Sequence, residues 1–154
     1  MTITTTGNKA MLDAATRGKL RLRRVFAAGA LAAVSSAIVI TLYALVIRAL
    51  GVPMRAGFIG AAAASPLKIG SFAMGAIICT FWGTLIATAL SRFASQPRTR
   101  IVQLAVALTA ISLVVPLRAA DTADTTKIAL VGAHLFAALI VIPALARAVT
   151  EPVN

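Results

Sequence analysis

Four long stretches of the chain are apolar with almost no polar interruption: residues 25–47, 69–91, 101–117 and 128–146. A helix crosses the hydrocarbon of a bilayer with about 20 apolar residues, within a range of roughly 17 to 25. All four stretches fit, the third at the short limit. The apolar residues are continuous instead of lying on one periodic face, which separates buried or lipid-facing segments from amphipathic ones. Four fully buried helices of a soluble domain would need covering layers, and the rest of the chain is too short to supply them. The connections 92–100 and 118–127 are short, and short loops make successive helices antiparallel neighbours. The pattern predicts an all-α integral membrane four-helix bundle, up-down-up-down, over residues 25–147. A basic polar tail, 1–24, precedes it and a short tail, 148–154, follows.

Two segments qualify this picture. Residues 1–16 begin MTITTTGNK, carry nothing for a core and are expected to fray, with RGKLRLRR of 17–24 in the headgroup layer. The first apolar run exceeds the roughly 7 to 15 residues of a signal-peptide core, so it is expected to stay as a span. Residues 51–68, GVPMRAGFIGAAAASPLK, connect the first two spans and are mostly apolar, punctuated by Gly51, Pro53, Gly57, Gly60 and Pro66. Two arrangements suit them: a segment folded against the outer face of the bundle, which is favoured, or a shallow re-entrant turn covered by protein.

Charge then orients the bundle. The chain is 60% hydrophobic and 12% charged, with a net charge of +11. Ten basic residues fall on one side: Lys9, Arg17, Lys19, Arg21, Arg23, Arg24, Arg92, Arg98, Arg100 and Arg147. The other side has five, Arg48, Arg55, Lys68, Arg118 and Lys127. The positive-inside rule places both termini in the cytoplasm of a cell whose inner membrane this multi-pass chain spans. Arg17, Lys19, Arg21, Arg23 and Arg24 are expected to attract anionic headgroups, at about 1 kcal/mol per charge near the surface. Lipid and topology account for the positive charge without nucleic acid.

The candidate chemistry is sparse. The one cysteine, Cys79, lies mid-span with no CxxC motif, so disulfide exchange is not expected. One histidine and one cysteine cannot build a closed zinc site, and neither a metal nor a cofactor is expected. The four acidic residues, Asp13, Asp121, Asp124 and Glu151, all lie outside the spans. Small multidrug exporters, also four-span, use a membrane-embedded Glu in the first helix, and none is present. There are no paired carboxylates, no nucleophile elbow and no phosphate-binding glycine loop. The chain is read as a non-enzyme.

Three features remain. In the second span Ser71, Gly75, Cys79, Gly83, Ala87 and Ser91 recur every fourth residue, a slowly drifting stripe of small side chains. In lipid, close backbone approach is a main source of helix association, so the stripe is expected to be a packing seam, within the chain or between copies. Gly29, Ala33, Ala37 and Thr41 form a shorter counterpart in the first span. Second, Arg118, Asp121, Asp124 and Lys127 follow one another at intervals of three. Their plain reading is a helix hairpin tip, with Asp124 capping the last helix and surface ion pairs around it. Their functional reading is a ligand- or proton-handling cluster. Third, His134 stands about 15 Å into the last span, near mid-membrane. An ionisable residue there is a candidate site, although a neutral imidazole bonded to Thr109, Thr41 or Ser112 would serve structure alone.

The segment PLRAADTADTTKIALVGAHLFAALIVIPALAR, with the basic N-terminus, GVPMR after the first span and the short basic middle loop, resembles an actinobacterial family of small four-span membrane proteins. That family is described as a domain of unknown function. The resemblance implies fold and membrane location, and no catalytic residue. Three readings follow. The leading one is an accessory or assembly subunit, packing through small-residue faces as a homo-oligomer or with another membrane protein. The alternative is a small transporter or sensor using the outer cluster and His134. A third, an oxidoreductase anchor near quinone or haem, requires a partner.

Overall fold

The computed structural model describes residues 4–57 and 59–150. Phe58 and, from the two expected tails, residues 1–3 and 151–154 lie outside the described residues. Four helical segments are long and apolar enough to cross a membrane, arranged up-down-up-down.

The first helix, α1, runs Thr4–Ala49 without a break. The span is therefore continued at its N-terminal end by about 31 Å of helix at 1.5 Å per residue, where a fraying tail was expected. Ala, Leu, Lys, Arg and Met dominate that extension, and these are strong helix formers that outweigh Gly7 and Gly18. The extension does not end in solvent alone: Arg21 donates from Nη2 to the Val149 carbonyl, 2.7 Å away, just past the end of the last helix. A cation suits that carbonyl-rich terminus.

Two short strands, β1 (Arg55–Ala56) and β2 (Ser65–Pro66), follow, paired antiparallel with Arg55 opposite Pro66 and Ala56 opposite Ser65. Then α2 (Ile69–Phe93) descends and α3 (Pro97–Ser112) returns, starting on a proline that suits a first helical turn. One further turn, α4 (Val114–Leu117), completes the third span; Pro116 there has no N–H to continue the ladder. The last helix, α5, covers Asp124–Ala148, four residues earlier than its apolar run suggests.

The spans form a ring in the order α1, α2, α3, α5, with α2 and α5 parallel across the diagonal. Helix α1 turns one stripe inward: Val25, Gly29, Ala32, Ser36, Ile40 and Ala44, spaced by three or four residues. Near the N-terminus, Val25 packs with Ala87, Ile101, Leu145, Ala148 and Val149. Near the hairpin, Ile40 packs with Ala76 and Ala133. Between the two layers Gly29 lies against Thr84, so close that a methyl group at Gly29 would overlap the threonine side chain.

Within the chain, α2 packs on a stripe beside the expected seam. The buried residues of α2 are Ala76, Thr80, Thr84 and Ala87, a stripe beside the small-residue one. Of the expected set, Ala87 is buried and Gly83 is half-buried near Leu145, whereas Ser71, Gly75 and Cys79 are exposed. Threonine packs against α1 because its hydroxyl turns back onto its own helix: Thr80 donates to the Ala76 carbonyl and Thr84 to that of Thr80, each at 2.7 Å. No polar atom is stranded by that burial.

Candidate functional site

The outer end is built by the hairpin folding down onto the turn between α4 and α5, the first of the two arrangements open to residues 51–68. Gly57 donates its N–H to both the Ala120 carbonyl and the Thr122 hydroxyl, each at 3.2 Å. A side chain at Gly57 would collide with the Ala120 carbonyl, so glycine is what lets the two segments touch. Asp121 adopts a φ of 46°, a left-handed conformation that aspartate tolerates better than most residues. From it, Oδ2 accepts the Ala64 N–H at 3.0 Å. Arg55 donates to the Ala64 carbonyl at 2.9 Å, and the buried Thr126 hydroxyl donates to the Pro53 carbonyl at 2.7 Å.

The cluster of four charges is therefore divided. Asp121 latches the hairpin. Asp124 is not the cap of α5: Ala123 occupies that position, and no side chain caps the helix. Asp124 instead sits in the first turn, where its charge suits the helix dipole, and pairs with Lys127 at 3.4 Å. Arg118 is exposed at the end of α4. An open depression of about 570 Å³ lies here, lined by Arg55, Asp121 and Lys127 among others. Of the residues here, Asp121 and Arg55 bond to Ala64 and close the hairpin, so the clasp rests on Asp121 and not on the cluster as a whole.

The interior is different. Two apolar cavities, of about 260 and 330 Å³, run between the helices. The first lies among α1, α2 and α5, from Leu67 and Ser71 inward. The second lies among α2, α3 and α5 and reaches Ile101 and Leu145. Both are bounded by Ala76, Cys79, His134 and Ala137, so the one histidine of the chain borders both. The exposed small residues of α2 now have an explanation. Ser71, Gly75 and Cys79 border the first cavity, Cys79 and Gly83 the second, and nothing lies within 4 Å of where a side chain at Gly75 would begin. They bound an open slot.

His134 does not bond to another helix. Its Nδ1 lies 2.8 Å from the Leu130 carbonyl one turn back. A carbonyl can only accept, so Nδ1 carries the proton, and in the uncharged ring Nε2 is an acceptor. The three hydroxyls expected to partner it are occupied within their own helices. Thr41 donates to Ala37, Thr109 to Ala105 and Ser112 to Thr109, at 2.6, 2.8 and 2.7 Å. Trp82, 60% exposed and edge-on to Phe81, stands at the border of the second cavity. Among the described residues no group of three His, Cys, Asp or Glu side chains comes together as a metal site would require. The slot and the hairpin clasp are tertiary features, whereas the histidine tautomer follows from a carbonyl one turn back in its own helix; the glycine and alanine spacing alone carried a signal for the slot, and it reads equally well as a seam.

Four apolar helices long enough to cross a membrane, packed as one bundle, define an integral membrane protein of the small helical-bundle class. Within that class the chain belongs to the Family of unknown function (DUF6069), whose model matches residues 20–151. No curated protein and no solved structure matches it.

Proposed function

We propose that the protein is a non-enzymatic membrane-embedded binding protein, a small sensor or carrier, that takes an apolar molecule from the bilayer into the slot at His134. The observation that supports this reading is a single imidazole bordering two apolar cavities, behind a helix face kept small by Ser71, Gly75 and Cys79. Ligand sites are typically concave and apolar with a few placed polar groups, and this arrangement fits that description. In this reading both termini face the cytoplasm, the chain resides in the inner membrane, and anionic lipid gathers at the basic end. In this reading Asp121 holds the hairpin, and the outer charges do not handle substrate.

A second reading, an accessory subunit, draws on Gly75. A glycine within a helix costs about 1 kcal/mol relative to alanine, which close approach by a neighbouring helix would offset, and among the described residues none approaches there. Native mass spectrometry after gentle extraction from the producing cell's membranes separates the two. A retained small molecule that Gly75→Leu expels supports the binding protein. A second polypeptide bound in its place, released by the same substitution, supports the subunit and overturns the first reading.

A further inference from the structure

The slot's shape and its hydrogen-bonding character restrict what it can hold. Together the two cavities follow α2 from Ser71 to Ile86, fifteen residues or about 22 Å at the helical rise. Among the described residues no Asp, Glu, Lys or Arg lines either cavity, so a charged headgroup would find no partner among them. At the waist, where the cavities share Ala76, Cys79, His134 and Ala137, the strong polar group is the imidazole; a thiol is a weak donor and a weak acceptor. The Leu130 carbonyl holds the proton on Nδ1. In the uncharged ring, Nε2 is then the acceptor. The hydroxyls of Thr80, Thr109 and Ser112 in the second cavity direct their protons to backbone carbonyls. The Trp82 indole N–H and the Ser71 hydroxyl border the slot outside the four shared residues, so at the waist itself the strong polar group is an acceptor.

We infer that the slot binds a long apolar chain bearing a hydroxyl donor, whose O–H is accepted by Nε2 of His134 while the chain lies along α2. This rests on the binding-protein reading and adds the ligand's chemistry to it. Two membrane-dissolved classes share that chemistry, prenyl alcohols and alkyl hydroquinones. The corresponding ketones, quinones and ethers have no proton to offer.

The one tryptophan, Trp82, borders the slot and reports its occupancy by fluorescence. With the full-length protein in lipid nanodiscs, geranylgeraniol is titrated against its methyl ether, and an alkyl hydroquinone against its dimethyl ether and its quinone. A hydrogen bond worth about 0.5–1.5 kcal/mol predicts roughly 2- to 12-fold tighter binding of the donor over its ether. The pair with the larger ratio identifies the class. In His134→Phe that ratio falls to about one while the ether still binds; His134→Ala repeats the comparison if the bulkier ring disturbs the fold. Equal binding of donor and ether in the unaltered protein overturns the inference and leaves the slot as a ligand site, as does tighter binding of the quinone. If no chain compound shifts Trp82 fluorescence, and Gly75→Leu gives the same flat response, the binding-protein reading itself fails.

Discussion

At the residue scale, this bundle is held by small side chains in specific places, and the places were less legible than the smallness. The period-four stripe in α2 is plain in the sequence, yet the helix rotates Ala76, Thr80 and Thr84 inward. Threonine back-bonding makes a hydroxyl as buriable as a methyl group, and hydropathy alone cannot register that. Tyr43 is a second case. Its hydroxyl donates to the Ala129 carbonyl at 3.1 Å, and its ring meets Phe136 at 5.2 Å, because Gly132 leaves the room. A methyl group at Gly132 would overlap the tyrosine oxygen. Gly132→Ala is expected to cost about 1–3 kcal/mol, the usual range for overpacking. Adding Tyr43→Phe should recover part of that loss, so the pair is non-additive in unfolding measurements. Ser36 gives the opposite sign: its Oγ is buried with no hydrogen-bond partner. Leaving a hydroxyl unpaired costs about 1–3 kcal/mol, so Ser36→Ala should raise the midpoint of thermal unfolding.

At the element scale, the four apolar runs located the spans, because a run of that length has few other stable solutions. The ends were less accurate. Helix α5 begins at Asp124 because the Thr126 and Lys127 N–H groups both donate to the Ala123 carbonyl, which starts the helix before hydropathy rises. The hairpin of 51–68 could be placed against the outer face but not joined to a partner, since its bonds to Ala120, Asp121 and Thr122 span more than fifty residues of sequence. Those bonds make a prediction. Asp121→Ala removes the acceptor for the Ala64 N–H and leaves a less suitable residue at a left-handed φ. Asp121→Asn keeps an acceptor and tolerates that conformation. Hydrogen exchange at the Ala64 amide should accelerate roughly 5- to 150-fold in Asp121→Ala, from the loss of about 1–3 kcal/mol, and change little in Asp121→Asn. Equal acceleration in both would mean that the latch does not hold the hairpin.

At the scale of the whole molecule, the continuous α1 changes how the basic residues act on the membrane. Along the axis of the span, Arg23 lies about 3 Å before Val25 and Lys9 about 24 Å before it. Screening at physiological salt acts over about 8 Å. The charges beside the span should therefore draw anionic lipid, and Lys9 should contribute little. Arg23→Gln is expected to reduce co-purified anionic lipid about fivefold, the equivalent of about 1 kcal/mol for a lost charge at the surface, while Lys9→Gln leaves it unchanged. The same asymmetry sets orientation. The start of α1, the end of α5 and the turn between α2 and α3 share one end of the bundle, and the hairpin with its clasp occupies the other. Ser95 is exposed in that turn and Ala62 is exposed in the hairpin loop, so a cysteine at each position, in a Cys79→Ala background, reports one end. Because ten basic residues stand at the first end and five at the second, Ser95→Cys should resist a membrane-impermeant maleimide added to intact cells, and Ala62→Cys should react. The reverse pattern would turn the bundle over: the slot's Ser71 end would face the cytoplasm, and the basic rod of α1 would lie outside the cell, away from the anionic leaflet.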